Sequence, residues 1–296
     1  MKIFDCFMYF DEDIVLDLRL NTLDKYVDHF VIVESVFTHK GDKRELRFNP
    51  KKFDKFKNKI IYLVKTEEPP NLDIINKDDG DITKGSKYIF NAAKRENGQR
   101  NYINEGLKNA EKNDLIMISD VDEIPDLSNI DLKNINKKII LFKQDMFYYK
   151  FNLKLPNFNW IGTKACKKKD LINPQWLRNV KDRKFPFYRI ETFFSKNKYT
   201  NVKIIKNGGW HFTNIKTAQE IQIKLKSYLH HVEYEIKPLT TEEIENLIKN
   251  KKAIYNLHAD KRSQKFDEGK KLEKFKFENL PEYIQKNYEI YKDWLD

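Results

Sequence analysis

Five short apolar runs punctuate the first half of the chain: Ile3 to Phe10, His29-Phe30-Val31-Ile32-Val33-Glu34, Ile60-Ile61-Tyr62-Leu63-Val64, Leu115-Ile116-Met117-Ile118 and Ile139-Ile140-Leu141-Phe142. The second is β-branched and unbroken, the pattern of a strand covered on both faces. Between the runs, apolar positions recur at helical spacing. Ile14 and Leu18, with Leu16, Leu20 and Leu23, link the first two runs; Ile103, Leu107 and Ala110 stand at i, i+4 and i+7 before the fourth. Strand, helix and strand in repetition predict an α/β fold, a Rossmann-type, mostly parallel sheet flanked by helices. Such sheets take ligands beyond the carboxyl ends of their strands.

The remaining pattern is less regular. Residues 65–98 hold Pro69-Pro70, Asp78-Asp79-Gly80-Asp81 and Gly85, and read as a long loop or flap. Aromatic stretches at Phe147-Tyr148-Tyr149 and Phe185-Pro186-Phe187-Tyr188 read as strands and loops of a substrate-facing half. Helical spacing returns over 217–231, with Ala218, Ile221, Leu225 and Leu229 on one face. Thr240 and Glu243 form a capping-box pattern ahead of Ile244, Leu247 and Ile248. Pro281 suits a first helical position, followed by Ile284, Tyr288, Tyr291 and Leu295.

Composition narrows the class. An apolar content of 40% and an aromatic content of 14% exclude collagen-like, coiled-coil and wholly disordered chains. The 296 residues are enough for one large domain with insertions or for two, without metal or disulfide staples. Cys6 and Cys166 make no disulfide framework, which suits a reducing compartment. No apolar run approaches the roughly 20 residues that span a bilayer, and the N-terminus has no signal-peptide core. The expected location is therefore the cytoplasm. The net charge of +11 favours anionic partners, but Lys is spread along the chain rather than gathered in one block.

Chemistry concentrates in Leu115-Ile116-Met117-Ile118-Ser119-Asp120-Val121-Asp122-Glu123-Ile124-Pro125, where an apolar strand runs into three carboxylates and stops at a proline. In extended backbone, Asp120 and Asp122 point the same way, about 6.6 Å apart. Hard oxygen donors at that position suit Mg²⁺ or Mn²⁺ carrying a diphosphate. In a chain that is 34% charged, a solvated turn is the plain alternative. Upstream, Asn97-Gly98 reads as a turn, with Gln99, Arg100 and Asn101 opening a helix that can reach a base, ribose or phosphate. In Asn207-Gly208-Gly209-Trp210-His211-Phe212, the glycines allow close backbone approach and His211 is a candidate third metal ligand. Glu34, at the end of the second run, is placed to hold a nucleoside. Adjacent His230 and His231 cannot face one ligand from a helix, so zinc is not expected.

Taken together, these residues resemble glycosyltransferase family 17, the family of the β-1,4-mannosyl-glycoprotein β-1,4-N-acetylglucosaminyltransferase. The likeness is carried by Phe4-Asp5-Cys6-Phe7 through Asp17-Leu18-Arg19-Leu20, Val27-Asp28 through Phe37-Thr38, Ser119 through Pro125, and Gly209-Trp210-His211-Phe212. It implies a GT-A-like domain over 1–235, with a nucleotide-sugar half (1–143) and an acceptor half (144–235), followed by a helical extension over 236–296. It also implies metal-dependent, inverting transfer from a UDP-sugar, UDP-N-acetylglucosamine by preference. Asp120, Asp122 and His211 become the metal ligands. Glu34, Arg100, Asn104, Asp120 and Trp210 become donor contacts. Inversion needs one base, and Glu233, Glu191 and Asp145 are candidates. The expected acceptor is a surface polysaccharide or glycolipid. For Lys249 to Lys276 and the terminal helix, packing of the Tyr and Leu face on the domain is the preferred reading, and peripheral contact with an anionic membrane the lesser one. Two rivals are a divalent-metal phosphodiesterase and a basic nucleic-acid-binding protein.

Overall fold

In the computed structural model, which describes residues 1–228, 234–235, 237–257 and 269–296, β1 (Ile3–Met8) lies between two parallel neighbours. β2 (His29–Ser35) pairs with one edge, and β4 (Leu115–Asp120) with the other. β3 (Ile60–Lys65) extends the parallel set beyond β2. The four strands are runs one to four of the apolar pattern. On one sheet face, helix α1 (Asp13–Leu23) buries Val15, Leu16, Leu18, Leu20 and Leu23.

The sheet then changes character. Its order is β3-β2-β1-β4, then β7 (Leu153–Lys167), β6 (Ile139–Tyr148), β9 (Gly209–Thr213) and β5 (Glu123–Pro125), with β8 (Val202–Ile205) on β6 and β10 (Glu273–Lys274) on β7. β6 (Ile139–Tyr148) continues well past the fifth apolar run, so the 143/144 division falls inside a strand. β7 (Leu153–Lys167) pairs antiparallel with both β4 and β6. Its pattern hides a 15-residue strand. Pro156, Asn157 at φ 54° and Gly162 interrupt it as turn residues would. β8 (Val202–Ile205) and β9 (Gly209–Thr213) lie parallel to successive stretches of β6, and β9 carries β5 (Glu123–Pro125) at the end of the sheet.

The reading of 65–98 as a loop needs correction. Helix α2 covers Asp81–Asn101, so Asn97, Gly98, Gln99 and Arg100 belong to its last turns and open no helix. Its buried residues are Asn91, Ala92, Gln99 and Arg100, so it has no apolar stripe to read. Polar ties hold it instead. Asn91 bonds both ways with the Asp73 backbone, Lys94 pairs with Asp73, and Arg95 grips Glu68. The short α3 (Ile103–Gly106) follows.

The terminal segment packs apolar residues on the domain. Ile284 and Tyr291 are fully buried against the α1 side of the core, Tyr291 Oη donates to Asp17, and the Phe151 N–H donates to the Trp294 carbonyl. Most of that face is covered internally, while Tyr288 stays exposed. Among the described residues, no helix is long and apolar enough to cross a membrane.

Candidate functional site

Beyond the carboxyl ends of β1, β2 and β4 lies a cleft of ≈ 370 Å³. Met8, Tyr9, Phe10 and Glu12 reach it after β1, and Phe37, Thr38 and His39 after β2. Asp120, Val121 and Asp122 reach it after β4, with Glu96 and Gln99 from α2, Trp160 from β7 and His211 from β9. Helix α4 (Ala218–Ser227) adds Lys224 and Ser227.

The acidic stretch is a turn rather than extended strand: β4 ends at Asp120 and β5 begins at Glu123. Its backbone rests on a buried cation. Arg19, fully buried on α1, grips Asp5 of β1 through two bonds of 2.7 and 2.6 Å. Its remaining nitrogen donates to the carbonyls of Asp120, Val121 and Glu123 at 3.2, 3.2 and 2.8 Å. A buried guanidinium needs such saturation to offset its lost hydration. Glu123 is fully buried and does not face the cleft. It accepts the Asp120 N–H, the Trp160 indole N–H and two bonds from Arg178. Gly162 makes room for this packing, since a Cβ there would meet Gln144 at 1.9 Å and Glu123 at 2.9 Å.

The two aspartates have different surroundings. Asp120 is gripped by Arg178 at 2.7 Å and Arg100 at 3.1 Å, with its side chain 36% exposed. Burial alone would raise its pKa; the two guanidiniums instead hold it well below the usual carboxylate range. Asp122 faces His211, Oδ1 to Nε2 3.5 Å. Burial would raise the carboxyl and lower the imidazole, yet each is shifted the other way by its neighbour. The β5–β9 register sets this pairing: Glu123 opposes His211, and the Phe212 N–H donates to the Asp122 carbonyl. Gly209 permits it at φ +123°, where a Cβ would strike the Ile124 carbonyl at 2.2 Å.

A divalent cation fits this set in part. Ligands held at about 2.1 Å on a hard cation stand roughly 3 Å apart, close to the Asp122–His211 spacing. His211 Nδ1 is buried without a hydrogen-bond partner, so packing against Trp160, centroids 5.6 Å apart, orients the ring. Among the described residues, no three His, Cys, Asp or Glu side chains form a ready-made cage. Two protein ligands leave the other positions to phosphate oxygens and water, the habit of Mg²⁺. Asp120 has no such freedom while two arginines hold it.

Around this centre, Lys224 lines the cleft with no ion pair or side-chain hydrogen bond among the described residues. Glu96 is paired with Arg100 at 2.8 Å. Glu12 receives the Phe10 and Asp11 N–H groups on one oxygen, each at 3.1 Å, and lies in the field of the Lys216 ammonium, whose direct ion pair is with Asp11. His39 bonds Gln99 at 3.1 Å, while Gln99 donates to the Val33 carbonyl. Sequence reasoning missed Glu12, Glu96, Trp160, Arg178 and Lys224.

Several sequence candidates stand elsewhere. Glu34 is fully buried and occupied by the Arg47 and Phe48 N–H groups, Tyr62 and Arg44, so it shapes the loop after β2 rather than facing the cleft. Trp210 alternates with His211 along β9, which turns its ring onto Phe212 and the core. Asn104, in α3, is not among the cleft residues. Arg100 touches the site only through Asp120 and Glu96. Asp145 is held by Lys154 and Asn159, both at 2.8 Å, outside the cleft. The Glu191 side chain and the whole of Glu233, with His230 and His231, lie outside the described residues.

The model of glycosyltransferase family 17 matches residues 1–295. No curated protein matches the chain. Among solved structures, the chain is similar to HddC from Yersinia pseudotuberculosis, with 11% identity, 70% of this chain and 91% of that one covered, and a TM-score of 0.31. It is similar also to the 2-C-methyl-D-erythritol 4-phosphate cytidylyltransferase of Francisella tularensis, with 10% identity, 75% and 98% covered, and a TM-score of 0.28.

Proposed function

We propose that this chain, which belongs to glycosyltransferase family 17, is a metal-dependent inverting transferase moving N-acetylglucosamine from UDP-N-acetylglucosamine to a hydroxyl of a surface polysaccharide or glycolipid. The observation that carries the metal reading is Asp122 beside His211 at the strand-end cleft. The donor choice rests on the Asp-x-Asp-Glu-Ile-Pro and Gly-Trp-His signatures. Family membership removes the footing of the phosphodiesterase and nucleic-acid rivals, which rested on paired aspartates and on charge with aromatic content.

In this reading Asp122 and His211 hold Mn²⁺ or Mg²⁺, which when bound neutralises charge developing on the departing diphosphate. Lys224 supplies a second positive group for the same phosphates. Phe10, Phe37, Thr38 and His39 wall the side of the cleft where a nucleoside fits. Asp120 keeps Arg178 and Arg100 in place and takes no ligand role. Trp160 offers its ring to a sugar. Glu12 takes the proton from the acceptor hydroxyl as that oxygen attacks the anomeric carbon, replacing Asp145, which Lys154 and Asn159 occupy.

The test is a transfer assay with UDP-N-acetylglucosamine and oligosaccharide or lipid-linked acceptors. Product is expected with Mn²⁺ and is lost in chelator. Glu12→Gln is expected to lower turnover about 10²–10⁴-fold with the donor KM held. Full turnover in Glu12→Gln removes its role, and full turnover in chelator removes the metal.

A further inference from the structure

We propose that residues 181–199 form a membrane-docking loop that seats the molecule on an anionic lipid surface. The base of the loop is fixed: the Lys181 N–H donates to the Asn197 carbonyl at 2.8 Å and the Phe185 N–H to Tyr199 at 3.0 Å. Phe185 is buried there, with the Arg183 guanidinium 4.7 Å and the Lys198 ammonium 5.7 Å from its ring. Beyond that base four apolar side chains turn outward. Phe187 is 83% exposed, Tyr188 70%, Ile190 70% and Phe194 85%. The Phe187 and Tyr188 rings meet each other edge to face at 5.8 Å. The aromatic motif at 185–188 is therefore split, one ring serving the fold and two facing water.

Charge selects the occupant. Lys181, Arg183, Lys184, Arg189, Lys196 and Lys198 stand in the loop against Asp182 and Glu191. Exposed aromatic rings inside a basic collar match a bilayer interface, where rings settle at headgroup depth and cations meet anionic lipid. The terminal segment offers less: Ile284 and Tyr291 are buried, and Tyr288 and Ile290 are exposed to a smaller degree than the rings of the loop. Arg178, three residues before the loop, bonds Asp120 at the cleft, so docking would bring the cleft to a surface carrying lipid-linked acceptors. Only that last consequence rests on the transferase reading.

The experiment is co-sedimentation of the full chain with vesicles of phosphatidylcholine, alone or mixed equally with phosphatidylglycerol. Binding is expected to the mixed vesicles and to weaken with salt. The double variant Phe187→Ser with Phe194→Ser is expected to lose at least about tenfold in partitioning. Its melting temperature stays unchanged, since both rings are exposed. Lys184→Glu with Lys196→Glu is expected to remain in solution. Failure of the wild type to sediment overturns the proposal, as does equal sedimentation of the Phe variant. A wild-type dimer that the Phe variant dissociates overturns it too, by assigning the patch to a second copy. None of these outcomes bears on sugar transfer, which is read separately in the soluble assay.

Discussion

Asp120 and Asp122 stand two residues apart and have different tasks. Asp120 closes a cluster with Arg100, Arg178, Glu96 and Glu123, whereas Asp122 pairs, among the described residues, with His211. Asp120→Ala is therefore expected to destabilise the fold by about 1–2 kcal/mol, discounted because the carboxylate is a third exposed. Asp122→Ala is expected to leave melting nearly unchanged while weakening Mn²⁺ binding more than about tenfold. Thermal melts with metal titrations check both; equal loss of Mn²⁺ affinity in the two variants would show that Asp120 is a ligand as well. That Asp120, Asp122 and His211 gather at the cleft was legible, because each sits in a local signature, a strand ending in carboxylates or a glycine pair; that two arginines hold Asp120 was not. Arg178 and Lys224 were not, being two of 56 basic residues whose meaning lies in distant partners. Glu12 had a usable signal, since it follows the first strand at the edge where α/β sheets take ligands.

Among elements, the acidic turn depends on α1 and β1. Arg19 is buried under the turn and Asp5 is its counter-charge, so the pair fixes three carbonyls from inside the core. Arg19→Met leaves Asp5 buried and uncompensated, and is expected to cost about 3–5 kcal/mol in urea or thermal unfolding. A cost below 1 kcal/mol would mean that the turn holds itself. The four parallel strands were readable as short unbroken apolar runs, and α1 as the leucine-rich stretch between the first two. α2 was not: its buried face is Asn91, Gln99 and Arg100, which hydropathy scores as surface. β7 was hidden by its own proline, asparagine and glycine, and by bulges in its pairing with β6.

Across the whole molecule, the C-terminus completes the back of the site. Tyr291 packs on Phe151, and Phe151 on Phe212, the neighbour of His211, with centroids 5.6 and 4.9 Å apart. Asn152 ties the last residue, Asp296, by two bonds. Truncation after Leu280 is expected to lower stability by about 3–6 kcal/mol, from the loss of Ile284 and Tyr291 burial. An unchanged melt would detach the extension from the core. The central claim is that a cation held by Asp122 and His211 joins the nucleotide to the cleft. Calorimetric titration of UDP into the chain tests it most directly. Tight binding is expected with Mn²⁺ present, weakened at least about tenfold by chelator and by His211→Ala alike. UDP affinity indifferent to both would contradict it.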